Sequence, residues 1–357
     1  MVVYNIKRPK YQYKVKLKVK ARLGKFISST YLRYGVILVI IGLSLYLAMH
    51  GVSLKDIKQS FSAADSRFIW LALVSVALNT LGKAVRWKYL IGPAGHKLHL
   101  FKVLSVLLAG QMLNTLYPVR IGDFSRIYVM GGMGPGRVFT MGTVIIEKFL
   151  DMIAYFLLFL CLFILIPFPG WLNSSIYGLI VLTLGLSFLV FIIARQRTRL
   201  ARLVKYALRW FPVQMRPQIM GYVDSGLSSL DIFNNQRVLL ILAFWSAFVW
   251  GTAILNNYLV LLAFNIRLPL TAPLLLLIGL QAGISVSTVP GTIGLFEYIC
   301  VLALAVFHID RTFAFSYGIL LHSIVFIPST LLGILSFWLL GLSGSQDRLL
   351  RESGENR

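Results

Sequence analysis

Seven charged side chains lie in stretches of sequence that are otherwise apolar, and their types suit the binding of a polar headgroup. Glu147 and Asp151 are four residues apart, so they share one helical face, about 13 Å and about 19 Å along a span that starts near Val138. An arginine can hold a phosphate through parallel N–H donors, and a carboxylate can pair with that arginine or accept a cation or a proton. The residues predicted to line such a site are Arg120, Asp123, Arg126, Glu147, Asp151 and Glu297, with Lys148 beside them.

These charges occur in a chain suited to a lipid bilayer. Its 357 residues are 58% hydrophobic and 13% charged, and the mean hydropathy of +0.79 excludes an ordinary soluble globular protein. A charge inside a membrane span costs about 2.5 to 3.5 kcal/mol on insertion scales, so each one must face a partner or a cavity. The charges therefore mark one of two things. They form either an ion-pair network that only fixes packing, with Arg120 or Arg126 bonded to Glu147 or Asp151, or a substrate path.

Metal, disulfide and nucleotide chemistry are not predicted. Cys161 and Cys300 both lie in apolar runs, and apart from His96 and His99 in a lysine-rich loop the five histidines are scattered. The sequence contains no Gly-x-x-x-x-Gly-Lys-Ser/Thr loop for nucleotide phosphates. We therefore expect no cofactor and no bound metal.

A short motif recurs where two of the apolar stretches are interrupted. Residues 118–124 read Pro-Val-Arg-Ile-Gly-Asp-Phe and residues 290–296 read Pro-Gly-Thr-Ile-Gly-Leu-Phe, so Pro, Ile, Gly and Phe recur 172 positions apart. Because proline and glycine interrupt helices, each copy is predicted to lie between two helical arms. The predicted break residues are Pro118, Gly122, Pro290, Gly291 and Gly294.

The apolar stretches predict an all-α polytopic membrane protein. Six of them are long enough, at 1.5 Å per residue, to cross a hydrocarbon core about 30 Å thick. These predicted spans are 34–50, 68–90, 138–166, 175–194, 238–263 and 312–341. The interrupted stretches 103–128 and 273–307 are predicted to be re-entrant broken hairpins, because non-helical backbone at membrane depth must be covered by protein or line a cavity.

The placement of lysine and arginine predicts how the chain is threaded. Of the 35 Lys and Arg residues, 29 fall in segments on one proposed side, five fall on the other, and Lys148 is inside a span. By the positive-inside rule both termini are cytoplasmic. This split holds only if the two hairpins enter from opposite faces of the membrane. The halves 34–166 and 175–342 are therefore predicted to form an inverted-topology repeat.

The same charge pattern predicts the domain organisation. Residues 34–342 form one membrane domain, residues 1–33 a basic cytoplasmic tail, and residues 343–357 a second cytoplasmic tail. Residues 195–237 form a cytoplasmic amphipathic segment. The predicted partners are the lipids of a cell membrane, including anionic headgroups at the basic tail, and no nucleic acid, since no nucleic-acid-binding module is present.

Two further features have structural interpretations. Tryptophans near span ends are typical of the aromatic belt at a membrane interface. They are Trp70, Trp87, Trp171, Trp245 and Trp250. His322, in the last predicted span, is expected to be a hydrogen-bonded core residue rather than a proton relay.

Three strings resemble motifs of the lysylphosphatidylglycerol synthase transmembrane (flippase-like) family. They are Pro118-Val-Arg-Ile-Gly-Asp-Phe-Ser-Arg126, Glu147-Lys-Phe-Leu-Asp151 and Val289-Pro-Gly-Thr-Ile-Gly-Leu-Phe-Glu297. The resemblance covers about 34–342. It implies a domain with re-entrant helices that moves phospholipids or polyprenyl-linked lipids between leaflets, with the charged residues above and Pro290, Gly291 and Gly294 along the path.

The sequence departs from that family at three places. Val119 stands where Gly is frequent, and Asp123 stands where Glu is frequent. The aminoacyltransferase domain of two-domain members does not follow Leu342 here. We therefore do not expect this chain to make lysylphosphatidylglycerol itself.

The leading hypothesis is a flippase or scramblase that passes a phosphate-bearing headgroup through a polar midplane cavity. Its cargo is a phospholipid, an aminoacylated phosphatidylglycerol or a polyprenyl-phosphate-linked lipid. One alternative is an integral-membrane enzyme acting on a lipid phosphate or a polyprenyl-linked sugar. Another is a membrane anchor for a soluble partner. The protein partners compatible with the leading hypothesis are a second copy of the chain or a separately encoded lipid-modifying enzyme.

Overall fold

The chain is helical throughout the part that the computed structural model describes. That part comprises residues 39, 42–50, 52–92, 98–117, 120–165, 185, 206, 216–286 and 289–354. The helices are α1 (Leu54–Ser62), α2 (Ser66–Ile91), α3 (Leu100–Leu116), α4 (Ile121–Gly132), α5 (Arg137–Leu165), α6 (Arg216–Ser228), α7 (Gln236–Ala263), α8 (Thr271–Val286), α9 (Leu295–Ala305) and α10 (Arg311–Gly354), with 3₁₀ turns at Ser229–Asn234 and Pro290–Thr292. The predicted all-α class is confirmed.

Four helices are long and apolar enough to cross a membrane. They are Ser66–Ile91, Arg137–Leu165, Gln236–Ala263 and Arg311–Gly341. Their bounds lie within two residues of the predicted spans 68–90, 138–166, 238–263 and 312–341. A multi-pass membrane protein is therefore confirmed at this level. Of the other two predicted spans, 34–50 is described as helix over 42–49, and 175–194 lies outside the described residues except for one position.

The outer face of α2 is apolar and uncovered by protein. Trp70, Val74, Leu78 and Leu81 recur at helical spacing, and between 41% and 69% of each residue is exposed. Exposure of such a stripe to water is unfavourable, whereas contact with apolar lipid tails is not. This face is therefore suited to contact the hydrocarbon core.

The two halves of the chain contain the same series of helices. The first residues of α2, α3, α4 and α5 precede those of α7, α8, α9 and α10 by 170 to 174 positions, close to the 172-residue offset of the sequence motif. Helix contacts recur in the same way. For example, α3 packs against α4 as α8 packs against α9, and α4 packs against α5 as α9 packs against α10.

The corresponding helices α2 and α7 run antiparallel and are packed along their length. Ser75 Oγ donates to Thr252 O at 2.9 Å, whereas Arg86 Nη1, three turns later, donates to Ser246 Oγ at 3.2 Å. Between them, Asn79 Nδ2 donates to Val249 O at 2.5 Å. Positions rising along α2 thus meet positions falling along α7, and small or polar side chains allow the close approach.

The first helix pair, α3 and α4, is closed by a glycine contact. Gly122, in the first turn of α4, lies directly against the carbonyl oxygen of Gly110 in α3. Asn114 Oδ1 accepts a hydrogen bond from the Gly122 N–H at 2.8 Å. The chain between the arms includes Pro118, which lies outside the described residues. Gly122 is therefore not part of the turn itself but the point where the arms meet.

The second pair, α8 and α9, is broken at glycines with positive φ. Gly291 has φ 64° within the 3₁₀ turn that begins at Pro290, and Gly294 has φ 83° at the N-cap of α9. These are conformations that residues with a Cβ adopt reluctantly. Glu297 Oε2 accepts a hydrogen bond from the Gly294 N–H at 2.7 Å. Gly122 and Gly294 are equivalent by the repeat, and a side chain bonds the N–H of each.

The loops collect at two ends of the helix bundle. At one end, Asp65 N donates to Ala263 O at 2.8 Å, and Arg311 donates to Leu47 O. At the other end, Trp87, Leu98, Met130 and Leu242 belong to one buried cluster.

The C-terminal helix extends further than the span predicted for it. Helix α10 continues to Gly354, past residue 342 and into the segment predicted as a tail, and Pro328 lies inside it. Residues 348–352, Arg-Leu-Leu-Arg-Glu, are good helix formers, so the helix can continue past the apolar span. The basic segment 195–215 and the tail 1–33 lie outside the described residues apart from position 206.

Replacing Gly122 by Ala is expected to destabilise the protein by about 1 to 3 kcal/mol, because the new Cβ overlaps the Gly110 carbonyl and one helical arm must move. Gly132→Ala in the same helix is the matched control, since a Cβ there meets nothing within 4 Å. Thermal unfolding midpoints of the two purified variants in detergent make the comparison. Equal midpoints would contradict the close contact between α3 and α4.

Candidate functional site

A large cavity lies between the two broken helix pairs. Its volume is about 970 Å³, and residues of both breaks line it, including Tyr117 and Arg120 from the first and Gly291 and Thr292 from the second. Helices α2, α5, α7 and α10 complete its wall. The two breaks that the sequence repeat links are therefore brought to one internal space.

The shortest buried ion pair in the wall joins Arg126 of α4 to Glu147 of α5. Arg126 Nη2 lies 2.5 Å from Glu147 Oε2, and Nη1 lies 3.4 Å from Oε1. The guanidinium also lies 4.1 Å from the ring centroid of Trp87, whose indole N–H donates to Thr143 Oγ1 at 3.3 Å. Arg126 crosses α3 at Gly110, where a Cβ would meet its aliphatic stem. The absence of a side chain at Gly110 thus leaves space for the Arg126 stem.

Asp151 pairs with an arginine that the sequence analysis counted only as a loop charge. Arg86 Nη2 lies 2.7 Å from Asp151 Oδ1, and Arg86 is completely buried in the last turns of α2. The sequence signal was present, because Lys83 and Arg86 stand three residues apart at the end of an apolar span and so share one face. Arg86 is therefore a site residue that sequence reasoning missed.

Asp123 is the centre of a second group of contacts. Its carboxylate lies 3.1 Å from Lys148 Nζ and 3.6 Å from Arg126 Nη1, and it accepts a hydrogen bond from Asn114 Nδ2 at 3.3 Å. Lys148 is half-exposed. The predicted i, i+3 relation of Asp123 and Arg126 thus holds, and Lys148 finds its partner on the neighbouring helix.

Two cations line the cavity without a carboxylate partner in the described part of the chain. They are Lys83 of α2 and Arg120, the N-cap residue of α4. Adding the paired residues gives five cations, Lys83, Arg86, Arg120, Arg126 and Lys148, against three carboxylates, Asp123, Glu147 and Asp151. Of the two arginines that the sequence offered as partners of Glu147 or Asp151, Arg126 pairs with Glu147 and Arg120 pairs with neither, so the cluster has a formal excess of two positive charges.

Glu297 and His322 form a separate buried pair next to the cavity. His322 Nδ1 lies 2.6 Å from Glu297 Oε1, and its ring stacks on Phe296 with centroids 4.6 Å apart. His322 is thus hydrogen-bonded in the core, as the sequence analysis expects. The Glu297 carboxylate is engaged by His322 and by the Gly294 N–H, so it serves the start of α9.

The N-termini of the two short helices are also already engaged. The Gly122 N–H is bonded to Asn114, and the Gly294 N–H is bonded to Glu297. In each helix, a side chain therefore occupies one N–H group of the N-terminus.

Two tryptophans depart from the predicted interfacial belt. Trp87 is completely buried beneath Arg126, and Trp250 lines the cavity. Position near the end of a span does not reveal which face of the helix points inward, which explains the error. No group of three or more His, Cys, Asp or Glu side chains arranged to hold a metal ion occurs among the residues described.

Comparison with known proteins gives two matches. The family model described as the lysylphosphatidylglycerol synthase TM region matches residues 34–333. The UPF0104 membrane protein PH1989 of Pyrococcus horikoshii is 26% identical over 324 residues, covering 83% of this chain and 94% of that protein. Both matches include the breaks and the charged helices of the cavity.

Replacing Arg126 by Met is expected to destabilise the protein by about 3 to 5 kcal/mol, because it leaves the buried Glu147 carboxylate without its cation. Lys148→Met removes a half-exposed partner of Asp123 and is expected to cost about 0 to 1 kcal/mol. Arg126→Lys should recover only part of the loss, since an ammonium cannot form the forked contact. Thermal unfolding of the three variants tests this order, and similar losses for Arg126→Met and Lys148→Met would refute it.

Proposed function

We propose that this chain, which belongs to the family of lysylphosphatidylglycerol synthase transmembrane regions, moves phosphate-bearing lipids between membrane leaflets as a flippase or scramblase. The movement needs no covalent step, so the proposal assigns no catalytic residue. The headgroup travels through the cavity between the two breaks, and the acyl chains stay in the surrounding lipid.

The observation that carries this proposal is the excess of positive charge inside an apolar bundle. Lys83, which is partly buried, and Arg120, which is exposed at the cavity, have no carboxylate partners among the described residues, and uncompensated charges within a membrane span are costly. An anionic ligand removes that cost. A phosphate is the anion that membrane lipids provide, and arginine and lysine are its usual ligands in proteins.

The size of the cavity supports the same division between headgroup and acyl chains. A volume of about 970 Å³ accommodates a small polar molecule but not two long acyl chains in addition. The exposed stripe of α2 offers an apolar surface on which chains can move. A headgroup in the cavity and acyl chains along the α2 stripe therefore match the polarity of each surface.

The path residues follow from the geometry and the sequence together. We assign Arg120, Asp123, Arg126, Glu147 and Asp151 to the path and add Lys83 and Arg86. The carboxylates hold the paired cations in place when the site is empty. Glu297 acts through the start of α9 rather than on the headgroup.

The membrane arrangement is part of the proposal. Helices α2 and α7 occupy equivalent places in the repeat and run antiparallel, which supports halves of opposite orientation. The pair α3–α4 begins and ends in one buried cluster, and α8–α9 begins and ends in the other. This supports two re-entrant hairpins entering from opposite faces of a cell membrane. The placement of lysine and arginine in the sequence supports a cytoplasmic location for both chain termini.

The membrane potential sets the direction in which an anionic cargo moves most easily. In a cell with a negative interior, outward movement of one negative charge is favoured by about 2.3 kcal/mol per 100 mV. The membrane potential therefore favours outward exchange of an anionic headgroup through the cavity.

Leaflet exchange of tail-labelled phosphatidylglycerol in proteoliposomes, followed by dithionite quenching, tests the transport function. The double variant Lys83→Gln/Arg120→Gln is expected to slow exchange about tenfold or more, because each lost charge contact weakens phosphate binding. Lys102→Gln, an exposed lysine away from the cavity, is the control and should exchange at the wild-type rate. No exchange by the wild type, or an unchanged rate in the double variant, would sink the proposal.

Single cysteines placed at the two ends of the bundle test the membrane arrangement. With Cys161 and Cys300 replaced by Ala, Lys102→Cys should react with an impermeant maleimide only after the cells are opened. Arg267→Cys, between α7 and α8, should react in intact cells. Labelling of both positions from the same side would contradict the inverted arrangement.

A further inference from the structure

Glu297 of α9 and His322 of α10 are titratable side chains that the proposed path does not use. His322 Nδ1 lies 2.6 Å from Glu297 Oε1, and the two side chains are 13% and 8% exposed, histidine first. His322 follows the first residue of α10 by eleven positions, or about 16 Å along a helix that crosses a hydrocarbon core about 30 Å thick. The pair therefore lies near the middle of the membrane, where a net charge is costly.

The hydrogen bonds of Glu297 indicate which atom of the pair gains or loses a proton. Oε2 accepts the Gly294 N–H at 2.7 Å, and Oε1 faces His322 Nδ1, so both oxygens are acceptors, as in an ionised carboxylate. Nδ1 then carries a hydrogen, which leaves Nε2 of His322 as the nitrogen that binds or releases a proton. With that proton the pair is neutral overall, and without it the pair has one negative charge.

The pair lies directly behind the cavity wall. Phe296 and Phe326 line the cavity, and the His322 ring contacts both of them, with centroids 4.6 Å and 4.4 Å away. Gly291, in the break that Glu297 stabilises, lines the cavity as well. A charge on the pair therefore acts on a headgroup in the cavity without touching it.

The corresponding place in the first half of the chain has no such pair. There the equivalent backbone N–H is bonded to the side-chain amide of Asn114, and an amide does not titrate. At the repeat offset, Ser125 corresponds to Glu297 and Leu150 to His322. The break between α8 and α9 is thus held by a titratable pair, whereas the break between α3 and α4 is held by an amide.

The titratable groups nearest the pair are uncharged near neutral pH. Cys300, one turn after Glu297 on α9, is a buried free thiol. Tyr317, five residues before His322 on α10, donates its hydroxyl to Asn257 Oδ1 of α7 at 3.1 Å. Thiols and phenols are both ordinarily protonated at this pH. Within the described ranges, His322 is the one cationic side chain bonded to the Glu297 carboxylate.

Charged residues on the other helices packed against α9 and α10 lie elsewhere. Helix α8 contains no ionisable residue, and Lys83 of α2 lines the cavity. Lys102 of α3 and Arg237 of α7 are exposed in the first turns of their helices. Helix α1 presents only exposed charged residues, which are Lys55, Asp56 and Lys58. The charge beside the second break therefore depends on the protonation of the pair itself.

We propose that the Glu297–His322 pair is a proton-binding site that sets the charge beside the second break and thereby the rate of lipid exchange. With the proton bound, the pair is neutral and an anionic headgroup passes the break without repulsion. With the proton released, the negative charge of Glu297 opposes the headgroup, so exchange slows as the pH rises. The effect on exchange rests on the proposed function, whereas the proton site does not.

Nitrogen NMR of the full-length chain in detergent tests the proton site directly. In protein with isotopically labelled histidine, the His322 signals are those that disappear in His322→Asn. Between about pH 5.5 and about pH 8.5, Nε2 is expected to titrate while Nδ1 keeps its hydrogen. An Nδ1 without a hydrogen, or an Nε2 that does not titrate in this range, would overturn the proton site.

Exchange of a short-chain fluorescent phosphatidylglycerol in proteoliposomes, followed by extraction with serum albumin, tests the effect on transport. The phosphodiester of this lipid does not titrate in the same range, so the charge of the cargo stays constant. Wild-type exchange should be about threefold to tenfold faster at about pH 5.5 than at about pH 8.5, as expected for one unit charge acting across a partly hydrated wall.

Substitutions of the pair make the test specific. His322→Asn keeps an amide near the position of Nδ1 but cannot bind a proton, so exchange should stay at the slow alkaline rate throughout. Glu297→Gln removes the negative charge and keeps an acceptor for the Gly294 N–H, so at about pH 8.5 it should match the wild-type rate at about pH 5.5. His308→Asn is the matched control and should retain the wild-type pH dependence, because His308 is exposed and its φ of 56° suits asparagine.

The outcomes separate the proton site from the transport proposal. A wild-type rate that is constant or rises with pH, or a pH dependence that persists in His322→Asn, overturns the proposed control of exchange and leaves the flippase standing. Failure of the wild type to exchange lipid at any pH removes the proposed function. The NMR titration then still decides whether the pair binds a proton.

Discussion

The cost of placing charge inside an apolar bundle is the constraint on which the rest of this structure depends. Three contacts offset this cost for Arg126. Its guanidinium lies 2.5 Å from the Glu147 carboxylate, 3.6 Å from the Asp123 carboxylate and over the Trp87 ring. Each of these contacts comes from a different place on α2, α4 or α5. The helices must therefore pack in one arrangement for the charges to be tolerated, and the pairs in turn specify that arrangement.

Close helix packing makes these ion pairs possible. Gly110 and Gly122 let α3 and α4 approach until backbone meets backbone, and the stem of Arg126 passes through the same contact. Ser75 and Asn79 of α2 likewise allow close packing against α7, because their side chains donate hydrogen bonds to backbone carbonyls of α7. Small and polar residues at helix interfaces are the usual means of association where lipid removes the hydrophobic drive between helices. In this protein they also position the cluster of charges.

The internal repeat gives the two halves of the chain the same helix arrangement, but their residues at equivalent positions differ. Gly122 and Gly294 are equivalent, and both N–H groups are bonded by side chains. The acceptor is Asn114 from the preceding arm in one case and Glu297 from the following helix in the other. Phe124 and Phe296 are equivalent as well, but Phe124 is 69% exposed whereas Phe296 is 3% exposed and stacks on His322. One scaffold used twice thus encloses a cavity whose two sides have different chemistry.

The sequence by itself determined the fold class, the bounds of four long helices and the two breaks, because apolar length and helix-breaking residues are local properties. It also identified Arg126, Glu147, Asp123 and Asp151 as charges in need of partners. It could not assign those partners. Arg86 was counted as a loop charge, the partner of Glu147 and Asp151 was left open between Arg120 and Arg126, and Trp87 was assigned to the interface. Which charges meet, and which face of each helix turns inward, depends on distances between helices far apart in the chain. Only the tertiary structure decided that Arg86 neutralises Asp151 while Lys83 and Arg120 remain available to a ligand.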